Sequence, residues 1–472
     1  MTVASGQTID LTAAMPVVAE GSTTQTLTQI IDPTKVKLTS ASDITYPAGW
    51  TLSYSTDGTT FSSTAPTTTA GWAAVRAVRA TGALVSSGAT AEGKQVATGA
   101  ATAVAPPSGS LSGGGGGGDG YDVFFDDNNH VFYVYHHGSS YGSAAVNCRT
   151  RTGTSCGPGW PFTLFHSGGF YTNNKSTGWI DLANDHLWIN TNTTTQTGFA
   201  CVDISNFTTG PTWCNGTAAN SFVGLYPTGS SYYDQALGLA ASGTRLFTLR
   251  SGTDELLCVD TALNGGLGGP CSGSGGTSGR LDVLPTATGQ SSAFYADVIA
   301  HEGRIYGLIQ SRMFCVEAAT FTNCANWPQN TTAESYVLFR LPNSSGEIVA
   351  LCSANGSAIV SCFTPAGESY VLPAWHREMQ LNFYAKNPET HGTRIYWNEG
   401  SWMGGSLHCY DVATNNWCPN WGGSNGLSEP NYTITLDPYN PSCLWTNNHS
   451  TSIKVWDATT GANSCTTLPA SA

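Results

Sequence analysis

Arg304-Ile305-Tyr306-Gly307, with Cys315-Val316-Glu317 a short turn later, is one copy of a pattern written seven times along the chain. The matching first halves are His130-Val131-Phe132-Tyr133, His186-Leu187-Trp188-Ile189, Arg245-Leu246-Phe247-Thr248, Glu347-Ile348-Val349-Ala350, Arg394-Ile395-Tyr396-Trp397 and Cys443-Leu444-Trp445-Thr446. The second halves carry Cys148, Cys201-Val202-Asp203, Cys258-Val259-Asp260, Cys362, Cys409-Tyr410-Asp411 and Val455-Trp456-Asp457, spaced by 46 to 57 residues. Short apolar runs bounded by turn residues read as buried strands. With one further strand on each side, every repeat becomes a four-stranded unit. Seven such units predict a seven-bladed β-propeller over residues 119–472.

Composition agrees with an all-β chain. Of 472 residues, 55 are Gly, 11% are aromatic and only 10% are charged, where an ordinary soluble domain carries roughly 25% charged residues. The 18 Lys and Arg against 31 Asp and Glu leave a formal charge of −13. That balance repels phosphate backbones and anionic lipid, so nucleic acid is excluded as the expected partner. No run of 18 apolar residues offers a membrane span, so no membrane insertion is expected.

The cysteines number 14, and CxxC, CxxCH and HExxH spacings are absent, which favours disulfides over zinc or haem attachment. Five repeats place a second cysteine shortly after the strand cysteine, predicting Cys148 with Cys156, Cys201 with Cys214, Cys258 with Cys271, Cys315 with Cys324 and Cys409 with Cys418. In the fifth and seventh repeats the partner lies on the preceding strand or beyond, giving Cys352 with Cys362 and Cys443 with Cys465. Disulfides imply an oxidising, extracellular or cell-surface location. The opening Met1-Thr2-Val3-Ala4-Ser5 lacks a basic and apolar leader, so the chain is expected to be a mature or excised piece of a larger secreted polypeptide or assembly.

Two resemblances refine this reading. Ser452-Ile453-Lys454-Val455-Trp456-Asp457-Ala458-Thr459-Thr460-Gly461 looks like the third-strand ending of WD-type propeller blades, and Cys409-Tyr410-Asp411-Val412-Ala413-Thr414 is a variant of it. The Gly-His half of that signature does not recur, so the resemblance implies the architecture and not the WD family. Residues 1–105 contain no cysteine and alternate in Lys35-Val36-Lys37-Leu38 and Trp50-Thr51-Leu52-Ser53-Tyr54, the mark of a small β-sandwich. Tyr46-Pro47-Ala48-Gly49-Trp50, Ser55-Thr56-Asp57-Gly58-Thr59-Thr60-Phe61 and Ala74-Val75-Arg76-Ala77-Val78-Arg79 together resemble the immunoglobulin-like repeats of large bacterial envelope proteins. Such repeats act as stalks and spacers. Ser55 to Phe61 is also similar to the Asp-box of sialidases, but it lacks the residue between Asp and Gly and reads as a hairpin turn. Residues 106–118, ending in six glycines, have the composition of a flexible linker.

Catalytic signals are weak. Three GxSxG matches, around Ser140, Ser155 and Ser424, lack the strand-to-helix context of a nucleophile elbow. No catalytic residue is assigned. His136 and His137 are the histidine pair worth testing as metal ligands. Asp122, Asp181, Asp234 and Asp297 fall in the first strands of repeats one to four, where convergence on the channel would suit calcium; hydration of a narrow channel or bonding between blades is the preferred reading. Trp160, Trp213, Trp327, Trp417 and Trp421 cluster in or after the third-to-fourth-strand turns, beside Gly, Pro and Asn. Loop aromatics of this kind form sugar-stacking surfaces, and the competing role is capping a disulfide and packing on the adjacent blade. Nine Asn-x-Ser/Thr acceptors occur, read here as Asn- and Thr-rich turns.

These residues predict an extracellular, noncatalytic binding or adhesion protein that recognises a glycan or a surface protein. The alternatives are a secreted carbohydrate-active enzyme with a sialidase- or lyase-like propeller, and a structural subunit of a surface fibre or phage-like particle, since fold alone does not fix function.

Overall fold

The computed structural model describes most of the chain from 120 to 465, leaving out 127–129, 137–143, 152, 165–177, 193–195, 228–235, 251–252, 274–277, 285–295, 310, 336, 382–387, 400–404, 429–430, 449–451 and 464. Before 120 it describes 9–10, 17–18, 24–30, 44–45, 51–55, 62–64, 77–83, 90–91, 94–95 and 111–112. The chain divides into two compact units, Met1–Thr102 with Pro469–Ala472, and Ala103–Leu468. In the first, Val17–Val18, Thr24–Ile30, Ala77–Ala83 and Thr51–Ser55 form one four-stranded antiparallel sheet. Most of residues 1–105, on which the expected immunoglobulin-like sandwich rests, lies outside the described residues.

The second unit is a seven-bladed propeller. In blades one to six the strands are antiparallel and sequential, as in Ala296–His301, Arg304–Ile309, Arg312–Glu317 and Thr322–Asn323 of the fourth. The middle strands are buried on both faces, with Ile359–Phe363 covered along its whole length, which explains why they read as continuous apolar runs rather than alternating ones. Tight turns join first to second strands. Between His301 and Arg304, Glu302 and Gly303 both have positive φ, 50° and 75°, the twist that a two-residue hairpin requires.

The core is a ring of layers between blades. Phe124, Phe132 and Val146 of blade one pack with Ile180, Leu187 and Val202 of blade two, and Tyr306, Leu308 and Cys315 of blade four with Leu338 and Leu351 of blade five. The approach is close enough to dictate a glycine: a Cβ at Gly268 of blade three would lie 2.5 Å from Cη2 of Trp188 in blade two. Seven disulfides staple the ring, one per blade: Cys148–Cys156, Cys201–Cys214, Cys258–Cys271, Cys315–Cys324, Cys352–Cys362, Cys409–Cys418 and Cys443–Cys465. No helix among the described residues is long and apolar enough to cross a membrane.

The repeated basic residue that opens the second strand ties adjacent blades. Arg245, Arg304 and Arg394 stand opposite Asp260, Glu317 and Asp411 on the third strand. Their guanidinium groups then reach the next blade, donating to the carbonyl oxygens of Ala318 at 2.8 Å, Pro365 at 3.4 Å and Ala458 at 3.3 Å. The acid that ends the third strand has its own task. Oδ1 of Asp260, Asp411 and Asp457 accepts the backbone N–H two residues on, from Ala262, Ala413 and Thr459, which closes the following turn.

Ring closure differs from a free linker over 106–118. Asn431–Asp437, Asn440–Asn448 and Ser452–Asp457 supply three strands of blade seven, and Leu111–Ser112 pairs antiparallel with Ile453 and Ser452 as the fourth. The glycine run therefore leads from the outer edge of blade seven to Gly120 at the inner strand of blade one. A ring closed only by side-chain packing would leave an open edge on its last sheet; an N-terminal strand pairs part of it. At the inner strand of blade seven, Arg151 of blade one donates from Nε to Oδ2 of Asp437 at 2.6 Å, and from Nη2 to Oδ1 at 3.1 Å.

Candidate functional site

The five turn tryptophans occupy two kinds of position. Trp160, Trp327 and Trp421 follow the second cysteine of their blades and lean on the second-strand ring that faces the first cysteine. Ring centroids are 5.6 Å apart for Trp160 and Phe132, 5.6 Å for Trp327 and Tyr306, and 5.3 Å for Trp421 and Tyr396. Phe132, Tyr306 and Tyr396 in turn pair with Cys148, Cys315 and Cys409 across the sheet. These indoles cap the disulfides. Trp421 is 0% exposed and offers no ring face to a ligand. Its replacement by Ala is expected to cost about 3 kcal/mol through the cavity left behind, so thermal unfolding of Trp421→Ala should shift clearly downward.

Trp213 and Trp417 immediately precede the second cysteine and lie opposite Val202 and Tyr410 on the third strand. Both are half-buried. Trp213 packs edge-on against Phe162 of blade one at 5.1 Å. Trp417 lies 5.6 Å from Trp397, 5.8 Å from His408 and 5.6 Å from Tyr410, whose other side stacks on Trp375 of blade five at 4.7 Å. Of the five tryptophans Trp421 is fully buried, while Trp160, Trp213, Trp327 and Trp417 are half-buried. They lie in blades one, two, four and six, with Trp417 and Trp421 both in blade six and Trp160 and Trp213 packed against one cluster between blades one and two.

The aromatic cluster in blade six encloses a titratable group, His408, that no sequence motif marks. The His408 ring is 3% exposed and stacks on Trp397 at 5.2 Å with planes 14° apart. Burial holds this imidazole below its ordinary value, partly offset by Glu399, whose carboxylate oxygen lies 3.1 Å from Nε2. The folded chain prefers neutral His408, so it binds fewer protons than the unfolded chain near pH 6. The stability involved is present above the ordinary value of 6.5 and declines as pH falls through it. Denaturant unfolding between about pH 7.5 and pH 5.5 should show this decline in the native chain and a flatter profile in His408→Phe.

The first-strand aspartates do not share one level of the channel. Asp297 stands opposite Leu308, near the end of its second strand, and Asp122 is at the equivalent place opposite Val134. Asp181 is instead opposite His186, the first residue of its second strand, about 13 Å away along the strand direction. Its carboxylate closes a turn, accepting from Ala183 N at 3.1 Å and from Asn184 Nδ2 at 2.8 Å. Oδ1 of Asp297 accepts the Val298 N–H at 2.8 Å. Asp234 lies outside the described residues, as does His137. A calcium ion needs six to eight oxygens at one point, and the register keeps Asp181 away from the level of Asp122 and Asp297. His130 is structural: Nδ1 lies 2.7 Å from Oδ2 of Asp126, and the ring stacks on Phe207 of blade two at 4.1 Å. Three glycosylation-type asparagines are turn formers, with Oδ1 of Asn206, Asn343 and Asn355 accepting the N–H of Thr208, Ser345 and Ser357.

No protein-family model matches the sequence, and no curated protein matches it. A chain in a solved structure entitled "Crystal Structure of Mitotic Checkpoint Complex" is similar in backbone, with a TM-score of 0.45 at 11% identity over 75% of this chain and 92% of that one.

Proposed function

We propose that the protein is an extracellular binding or adhesion protein whose propeller presents its blade connections to a glycan or a surface protein. The oxidised staples support the compartment, since seven disulfides need an oxidising one. The observation that carries the reading is an asymmetry between the two faces of the disc. On one face the basic openers Arg245, Arg304 and Arg394 hold blades together, and the acids Asp260, Asp411 and Asp457 close turns within their blades. On the opposite face second strands end and the next first strands begin. Among the connections between blades, 165–177, 228–235 and 285–295 lie outside the described residues. In sequence they read Phe165-His166-Ser167-Gly168-Gly169-Phe170-Tyr171, Thr228-Gly229-Ser230-Ser231-Tyr232-Tyr233 and Gly289-Gln290-Ser291-Ser292-Ala293-Phe294-Tyr295 at their most aromatic. Tyr with Ser, Gly and Asn is the composition that recognition loops use, large amphipathic rings beside adaptable small residues.

The test is a glycan array and a panel of surface proteins probed with the whole chain, with turnover assays on every hit. Replacing 228–235 by a Gly-Ser segment of equal length should weaken retention of a hit by at least about tenfold, or 1.4 kcal/mol, with the melting temperature little changed. Retention unaffected by replacing each of the three segments in turn would contradict the reading, and turnover of a bound sugar would favour the enzyme alternative.

A further inference from the structure

Blade two differs from the others in what stands beside its disulfide. A ring nitrogen of His186 and the sulfurs of Cys201 and Cys214 all lie within 4.8 Å of one another. We propose that these three residues form a redox-gated site for a zinc ion, closed while the cysteines are bonded and opened by reduction. This inference does not depend on the binding role argued above.

Several features prepare the site. The Nδ1 of His186 lies 3.0 Å from the carbonyl oxygen of Gly266 in blade three. A carbonyl only accepts, so Nδ1 carries the proton and Nε2 keeps the lone pair. A backbone acceptor on the far nitrogen is the usual support of a metal-binding histidine. The cysteines are held together by more than their sulfurs: the Cys214 N–H donates to Cys201 O at 3.3 Å, and Val202 pairs with Trp213 alongside. Reduction therefore leaves both thiols adjacent. Tetrahedral zinc with bonds of about 2.3 Å to sulfur and 2.0 Å to nitrogen wants donors roughly 3.5–3.8 Å apart. The His186 nitrogen lies within 4.8 Å of both sulfurs, and the sulfurs, bonded to each other, reach that spacing by moving apart once reduced. The equivalent histidine of blade one, His130, is turned to Asp126 instead, and Arg245, Arg304 and Arg394 fill that position in blades three, four and six.

Access also favours this bond. Cys214 is half-buried, as is Cys156 of blade one, whereas Cys271, Cys324, Cys362, Cys418 and Cys465 are buried with their partners. A limiting dithiol reductant would attack an accessible sulfur, resolve the mixed disulfide with its second thiol and leave as a cyclic disulfide, each cysteine sulfur taking up a proton. Zinc then binds both thiolates and the His186 lone pair, the two thiol protons are released, and water fills the fourth position. No electron moves in the binding step.

The test uses the whole chain under limited reduction, with Co2+ as the probe for its thiolate charge-transfer absorption and Zn2+ as competitor. The oxidised chain should show no band. After limited reduction it should show one, displaced by Zn2+, weakened at least about tenfold in affinity by His186→Ala and abolished in the Cys201→Ser, Cys214→Ser variant. The Cys148→Ser, Cys156→Ser variant, which loses the other accessible staple, should keep it. Alkylation mapped by mass spectrometry supplies a second readout that survives a poorly folding variant: Zn2+ should protect Cys201 and Cys214 of the native sequence. A band that persists without Cys201 and Cys214, full affinity in His186→Ala, or no protection of these two thiols would each overturn the site.

Discussion

Opening all seven disulfides should unfold the propeller near room temperature, while a chelator should leave its melting temperature where it was. The bonds close loops of 8 to 22 residues that do not overlap in sequence. Each constrains the unfolded chain independently, by roughly 2–3 kcal/mol. Together they contribute on the order of 15–20 kcal/mol, against the 5–15 kcal/mol of net stability that a domain typically has. Scanning calorimetry with excess dithiol, and separately with chelator, checks both halves. Unfolding by chelator alone would mean that a structural cation holds the ring.

The second large effect is expected where the ring closes. Arg151 and Asp437 are 3% and 0% exposed, and the guanidinium lies 5.2 Å from the Phe125 ring and 5.1 Å from that of Tyr439. Its Nη2 also donates to the backbone oxygen of Asp126 at 3.2 Å. Asp437→Ala would leave a guanidinium buried between aromatic rings without its carboxylate, and breaking such a pair costs about 4 kcal/mol. Replacing both partners, as in Arg151→Met with Asp437→Leu, should cost much less, because no charge is then stranded. Denaturant midpoints of the single and double variants measure the difference. Equal losses in both would show that the seam depends on shape rather than on charge.

How far the sequence could be read follows from how far apart the interacting residues are. The blade pattern was legible because strand, turn and strand are consecutive, and so were the staples, whose cysteines are at most 22 residues apart. The role of the basic openers was visible only as recurrence. That Arg304 ends on Pro365 of the next blade depends on two sheets meeting. The seam was not legible at all, since Arg151 and Asp437 are 286 residues apart and Leu111–Ser112 sits in a stretch whose glycines dominate its composition. Trp421 was not legible as a core residue for a related reason. A turn aromatic looks alike whether it faces solvent or a neighbouring blade, and burial of Trp421 is decided by Tyr396 and by the blade beside it. The aspartates were grouped by strand but not by register, and Asp181 lies four residues from the level of Asp297 once pairing is known.

Disulfide mapping of the native protein, by proteolysis and mass spectrometry without reduction, tests most directly whether the chain is a ring of individually stapled blades. The expected peptides join Cys148 to Cys156, Cys201 to Cys214, Cys258 to Cys271, Cys315 to Cys324, Cys352 to Cys362, Cys409 to Cys418 and Cys443 to Cys465. A link between cysteines of different blades, or a thiol alkylated before reduction, would contradict it.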